Sequence, residues 1–151
     1  MLAYPGMASA SREVLKDLAA TAFVEASPLF RSLDPESRRD LLELAQLSDA
    51  AEGEVVSAEG EETFLLVLEG TCSAQAGGVE IAHLGRGGTF GEGRVLGAGR
   101  PLSLLAKGDV TVVAFPASMV SALADRHPKM KKLLEVVHAV REKEAAARLP
   151  V

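Results

Sequence analysis

The sequence predicts an α+β domain, mainly β, in which helices precede and follow a β-barrel or roll. Three observations carry this reading. Apolar residues recur at helical spacing near both ends of the chain. Between those ends, short apolar stretches alternate with glycine. The chain has 151 residues, which suits one domain of ordinary size.

Residues 1–10 read as a tail. From there Val14, Leu15, Leu18, Ala19, Ala22 and Phe23 follow a helical period, with Ser11 placed to cap the run and Pro28 to end it. A second helix starts at Asp34-Pro35. The Asp34 carboxylate can accept from the free amides of a first turn, and Pro35 suits the first helical position. Its buried face is expected at Leu41, Leu42, Leu44 and Ala45.

After Ser48 the texture changes, and strands are expected over residues 54–58, 64–68, 71–75, 79–84, 102–106 and 110–115. Gly77-Gly78 joins two of them in a tight hairpin, because both turn residues need positive φ. Pro116 then introduces a short helix over 117–126, and His127-Pro128 breaks it. A last helix over 129–148 places Met130, Leu133, Val137 and Val140 at a/d spacing. That seam suits packing on the barrel or pairing with a second copy in a homodimer. The division is thus a tail and helix over 1–27, one domain over 28–148, and a tail over 149–151.

Composition removes several classes of function. Hydrophobic residues make up 48% and charged residues 25%, the balance of a soluble globular chain. The net charge of −5 with no basic stripe disfavours direct binding to nucleic acid. No apolar run approaches the ~20 residues that span a bilayer, and residues 1–10 lack the pattern of a signal peptide. No membrane association and a cytoplasmic location are therefore expected. Cys72 is the single cysteine, and His83, His127 and His138 stand far apart, so neither a metal site nor a Cys/His catalytic pair is expected.

One segment points to chemistry: Gly87-Gly88-Thr89-Phe90-Gly91-Glu92-Gly93-Arg94-Val95-Leu96, followed by Arg100. A glycine-rich turn feeding a short helix presents backbone N–H groups that suit a phosphate. A glutamate beside it can accept from sugar hydroxyls, and an arginine can pair with phosphate charge. Phosphate and sugar on one loop are the needs of a nucleotide. Taken alone, the same spacing also suits an ordinary surface turn.

The chain resembles the cyclic nucleotide-binding domain family, shared by catabolite-activator transcription factors, protein kinase A regulatory subunits and gated ion channels. The resemblance runs through Leu29-Phe30-Arg31-Ser32-Leu33-Asp34-Pro35-Glu36, Gly53-Glu54-Val55-Val56, Glu59-Gly60, Leu66-Val67-Leu68-Glu69-Gly70, Phe90-Gly91-Glu92 and Phe115-Pro116. It implies a β-roll of the jelly-roll, or double-stranded β-helix, kind, flanked by N- and C-terminal helices. It also implies that Gly91 gives a backbone contact, Glu92 takes a ribose hydroxyl and Arg100 takes the cyclic phosphate of cAMP or cGMP. The C-terminal helices would act as a lid, with Leu133, Leu134 and Val137 facing the base. No other cofactor and no catalytic residue is implied.

The loop departs from the family's pattern. Arg94 stands where a small residue should offer its amide, and Pro101 after Arg100 has no N–H to donate. Leu102 replaces another small residue just before Ser103, and the stretch from Glu92 to Arg100 is one residue short. The segment over 60–70 is short as well. Arg94 is thus expected either to add a second cation or to pair with Glu92 and close the pocket. The candidate ligand set is Gly91, Glu92, Arg94, Arg100, Pro101, Leu102 and Ser103.

Two functions follow from the resemblance. One is a cyclic nucleotide sensor that signals through a protein partner; the other is a scaffold that keeps the fold, binds proteins and holds no nucleotide. A cupin-like enzyme is disfavoured because the expected strands carry only His83. The family's transcription factors follow the last helix with a winged helix-turn-helix. Here Leu149-Pro150-Val151 follow it, so a partner reads the state or the sequence is an excerpt. The helix over 11–26 suits docking to such a partner, or packing on the barrel.

Overall fold

In the computed structural model, residues 21–22 and 24–149 are described. Two four-stranded antiparallel sheets face each other as a jelly roll. The helices are α1 (Pro28–Arg31), α2 (Pro35–Glu43), α3 (Glu92–Leu96), α4 (Ala117–Arg126) and α5 (Pro128–Arg148). The strands are β1 (Gln46–Ala50), β2 (Val55–Ser57), β3 (Thr63–Glu69), β4 (Cys72–Ala76), β5 (Val79–Leu84), β6 (Thr89–Phe90), β7 (Ser103–Ala106) and β8 (Val110–Pro116). One sheet has the order β1-β8-β3-β6 and the other β2-β7-β4-β5.

The pleat explains why β3 is apolar throughout rather than alternating. Leu65 and Val67 point into the roll, where Val112 of β8 and Ala74, Ile81 and Leu104 of the opposite sheet meet them. Phe64, Leu66 and Leu68 point to the other face, beneath helices that contribute Phe30, Leu41, Val120, Leu123, Met130 and Leu134. Phe30 lies 5.2 Å from Phe115 and 6.4 Å from Phe64, ring centre to ring centre, and so ties α1 to the sheet. The second sheet turns one face to the interior of the roll. Its strand β4 turns Cys72, Ala74 and Ala76 inward and carries Ser73 and Gln75 on the other face.

Six strands match the expected stretches, and two more appear. Strand β1 carries the sequence QLSDA, which has no apolar alternation. It is a strand because it pairs along its whole length with β8, from Gln46 opposite Ala114 to Ala50 opposite Val110. Strand β6 is two residues long, paired through Phe90 and Thr89 to Leu65 and Leu66. The β4–β5 hairpin is as expected, with Gly77 and Gly78 at φ 55° and 84°.

The helices bring three corrections. Pro28 does not merely end the preceding run; it is the first residue of α1. In α2 the Asp34 carboxylate accepts from the Ser37 amide at 2.7 Å, as expected. That helix stops at Glu43, so Leu44 turns outward and is 46% exposed, and Ala45 lies beyond the helix. In α5 the buried residues are Met130, Leu134, Arg141 and Ala145, whereas Val140 is exposed beside Val136. At 3.6 residues per turn Met130, Leu134, Arg141 and Ala145 fall on one stripe, and Val140 lies to the side of it. Residues 24–26 are helical and Val24 is buried. The expected start of that helix at Ser11 lies outside the described residues.

Candidate functional site

The loop after β6 forms one wall of a cleft of about 380 Å³. Its other walls are the β2–β3 turn, through Gly60, Glu61 and Glu62, and helix α5, through His138, Arg141 and Glu142. The local turn depends on Gly91, which caps α3 in the left-handed region at φ 104°. A Cβ there would lie 2.6 Å from the Thr63 carbonyl oxygen, so no other residue fits without moving β3. Gly97 closes α3 in the same conformation at φ 68°, and the Ala98 amide donates to the Gly93 carbonyl at 2.9 Å.

This turn places Glu92 at the bottom of the cleft, 3% exposed. Its Oε2 accepts from the Thr89 hydroxyl at 2.5 Å. Burial pushes the carboxyl above the ordinary glutamate range, opposed by that hydrogen bond and by the charges of Arg141 and His138. Glu92 is thus a buried acceptor whose carboxylate has one protein hydroxyl on one oxygen.

Arg94 lines the cleft but does not close it by pairing with Glu92, because its hydrogen bonds go elsewhere. Its Nη1 donates to the Ser57 hydroxyl at 2.7 Å and to the Thr63 carbonyl at 3.2 Å. Its Nη2 donates to the carbonyls of Ala58 at 2.8 Å and Leu102 at 3.2 Å. The guanidinium also lies 5.0 Å from the centre of the Phe90 ring. Arg94 therefore stitches α3 to β2, β3 and the approach to β7, and its donors are spent on protein oxygens. Burial lowers its pKa, opposed by the charges of Glu61 and then Glu92. Ser57 passes that interaction on, donating to Glu61 at 3.3 Å.

Arg100 is different. It lines the cleft with its side chain 38% exposed, and its Nη2 stands 3.6 Å from Glu142 on α5. Pro101 and Leu102 complete that edge, while Ser103 opens β7 and is not among the cleft residues. The structure thus brings Gly91, Glu92, Arg94, Arg100, Pro101 and Leu102 together around one cleft.

Helix α5 contributes residues the sequence reading passed over. Arg141 is 8% exposed and donates to the Thr89 carbonyl at 3.1 Å and to Glu144 at 3.0 Å. Its Nε is buried without a partner. The apolar lid expected at Leu133, Leu134 and Val137 is corrected: Leu134 is buried in the core under the helices, and none of the three lines the cleft. The cleft instead meets the polar turns of α5 further along. Their signal was the spacing of His138, Arg141 and Glu142, which shares one helix face.

The cyclic nucleotide-binding domain family matches residues 48–127. Among solved structures, cAMP-bound PfPKA-R superposes with a TM-score of 0.72 at 20% identity, over 89% of this chain and 48% of that one. The Thermus thermophilus catabolite activator protein gives 0.60 at 30% identity, over 80% of this chain and 61% of that one. The sensor domain of the transcriptional regulator DNR from Pseudomonas aeruginosa gives 0.70 at 15% identity, over 87% and 99%. The chain spans about half the length of the first and under two thirds of the second. None of the curated proteins matches it in sequence. No helix among the described residues is long and apolar enough to cross a membrane.

Proposed function

We propose, since this chain belongs to the cyclic nucleotide-binding domain family, that its cleft binds a cyclic mononucleotide, cAMP or cGMP, and reports it to a protein partner. The observation that carries the reading is the pairing of Glu92 with Arg100 across one cleft. A buried carboxyl suited to a sugar hydroxyl stands there with a guanidinium that is 38% exposed and suited to an anion. The charge balance favours a singly charged ligand. Glu61, Glu62, Glu92 and Glu142 line the cleft, and Arg94 has its donors committed to the protein. A cyclic phosphodiester carries one negative charge, which Arg100 alone can meet; a terminal phosphate carries close to two.

Pro101 offers no amide to that phosphate, which costs affinity without removing the charge pair. The signal itself would arise from a difference in affinity between two arrangements of α5, which lines the cleft and carries exposed Val136 and Val140. That exposed edge is the surface through which a homodimer would form. No step of this reading is catalytic. A second reading, a scaffold that binds proteins and no nucleotide, is favoured by one observation: Arg100 already has a carboxylate beside it.

Competition binding with fluorescent cAMP and cGMP tests the proposal. Glu92→Ala and Arg100→Ala should each weaken binding by about 30-fold, the equivalent of roughly 2 kcal/mol. Equal affinity in both variants and the wild type would assign the site elsewhere.

A further inference from the structure

The carboxylate beside Arg100 comes from a helix that approaches the loop unusually closely. A Cβ on Gly99 would lie 2.6 Å from the His138 ring and 3.3 Å from Glu142 Oε1. A Cβ on Gly93 would lie 3.3 Å from the same ring. At Gly99, which also sits at φ 91°, the missing side chain leaves the space that the His138 ring and the Glu142 carboxylate occupy against the loop. Glu142 holds Oε2 at 3.6 Å from Arg100 Nη2. Arg94 is held by protein oxygens and Arg141 is only 8% exposed, whereas the Arg100 side chain is 38% exposed, so Arg100 is the guanidinium an anion entering this cleft meets first.

We propose that Glu142 is an internal anion of the site: in the unliganded protein it engages Arg100 and latches α5 to the loop, and an incoming phosphodiester must take that guanidinium from it. The competition rests on the nucleotide reading above, whereas the latch itself does not. Both partners are more than a third exposed, and a pair of this kind is weak. A weak latch suits a sensor, because a strong one would suppress binding altogether.

The test uses Glu142→Gln, which keeps the shape and removes the charge. Hydrogen exchange of the nucleotide-free protein reads the latch, and calorimetric titration with cAMP and cGMP reads the competition. Glu142→Gln should speed exchange over residues 138–148 about threefold and tighten nucleotide binding about three- to tenfold. Arg100→Glu should speed the same exchange, and the swapped pair Arg100→Glu with Glu142→Arg should restore it. Unchanged exchange in Glu142→Gln overturns the proposal whether or not nucleotide binds. Faster exchange with unchanged or weaker binding overturns the competition. Faster exchange in a protein that binds no nucleotide keeps the latch and removes the nucleotide reading instead.

Discussion

Arg94 and Arg100 stand at the two ends of one short loop, carry the same charge, and do opposite work. Arg94 reaches inward and divides its donors among Ser57, Ala58, Thr63 and Leu102, so it holds the loop to the sheets. Arg100 reaches outward to a single carboxylate at 3.6 Å. Residue type and proximity to a glycine-rich turn are the same for both. What separates them is the number of fixed oxygens within reach, and that depends on strands remote in sequence. A guanidinium surrounded by protein acceptors holds the fold together, and one facing a single partly exposed carboxylate on a helix is the one proposed above to meet a ligand.

The largest expected effect lies at the Arg94 end. Arg94→Ala leaves carbonyls of three segments without their donor and should destabilise the fold by about 2–3 kcal/mol in urea unfolding. Arg94→Lys should recover little of this, since an ammonium cannot span the same oxygens. At the other end, Arg100→Ala should change stability by no more than about 0.5 kcal/mol, because an exposed ion pair contributes little. A large stability loss there would erase the contrast between the two arginines.

How much of this was legible in the sequence follows the same division. The hairpin at Gly77-Gly78, the cap at Asp34 and the break at His127-Pro128 are settled by neighbours in the chain, and each was readable. The partners of Arg94 lie between 8 and 37 residues away, so no local pattern announces them. Strand β1 was invisible for a related reason, since it is defined by its pairing with β8. The polar face of α5 escapes a pattern of apolar residues, because His138, Arg141 and Glu142 meet the cleft through polar atoms. Glu92 and Arg100 were singled out through family resemblance, and the structure brings both to one cleft.

Two glutamates sharpen the comparison further through pH. On the second sheet, Glu80 accepts from the Ser73 hydroxyl at 2.6 Å and stands 2.6 Å from His83, with Lys107 at 3.5 Å. These contacts, the Ser73 hydrogen bond first, hold its carboxyl down from 4.5 to about 2. Because the folded pKa is the lower one, this contribution is present above pH 4.5 and is lost as pH falls towards 2. Glu92 has the opposite sign: its raised pKa favours the folded form at low pH, and that advantage fades as pH rises past the unfolded value. Glu80→Gln should flatten the acid limb of a stability–pH profile, and Glu92→Gln should steepen it. Profiles indistinguishable from wild type in both variants would show that these environments do not differ as described.

The most direct test of the account is calorimetric titration of the wild-type chain with cAMP and cGMP, with AMP as the control. A cyclic nucleotide should bind with a dissociation constant on the order of micromolar, and AMP should bind far more weakly. No heat from either cyclic nucleotide up to millimolar concentration would contradict it, and would leave Arg100 as a latch for α5 on a fold kept for its surface.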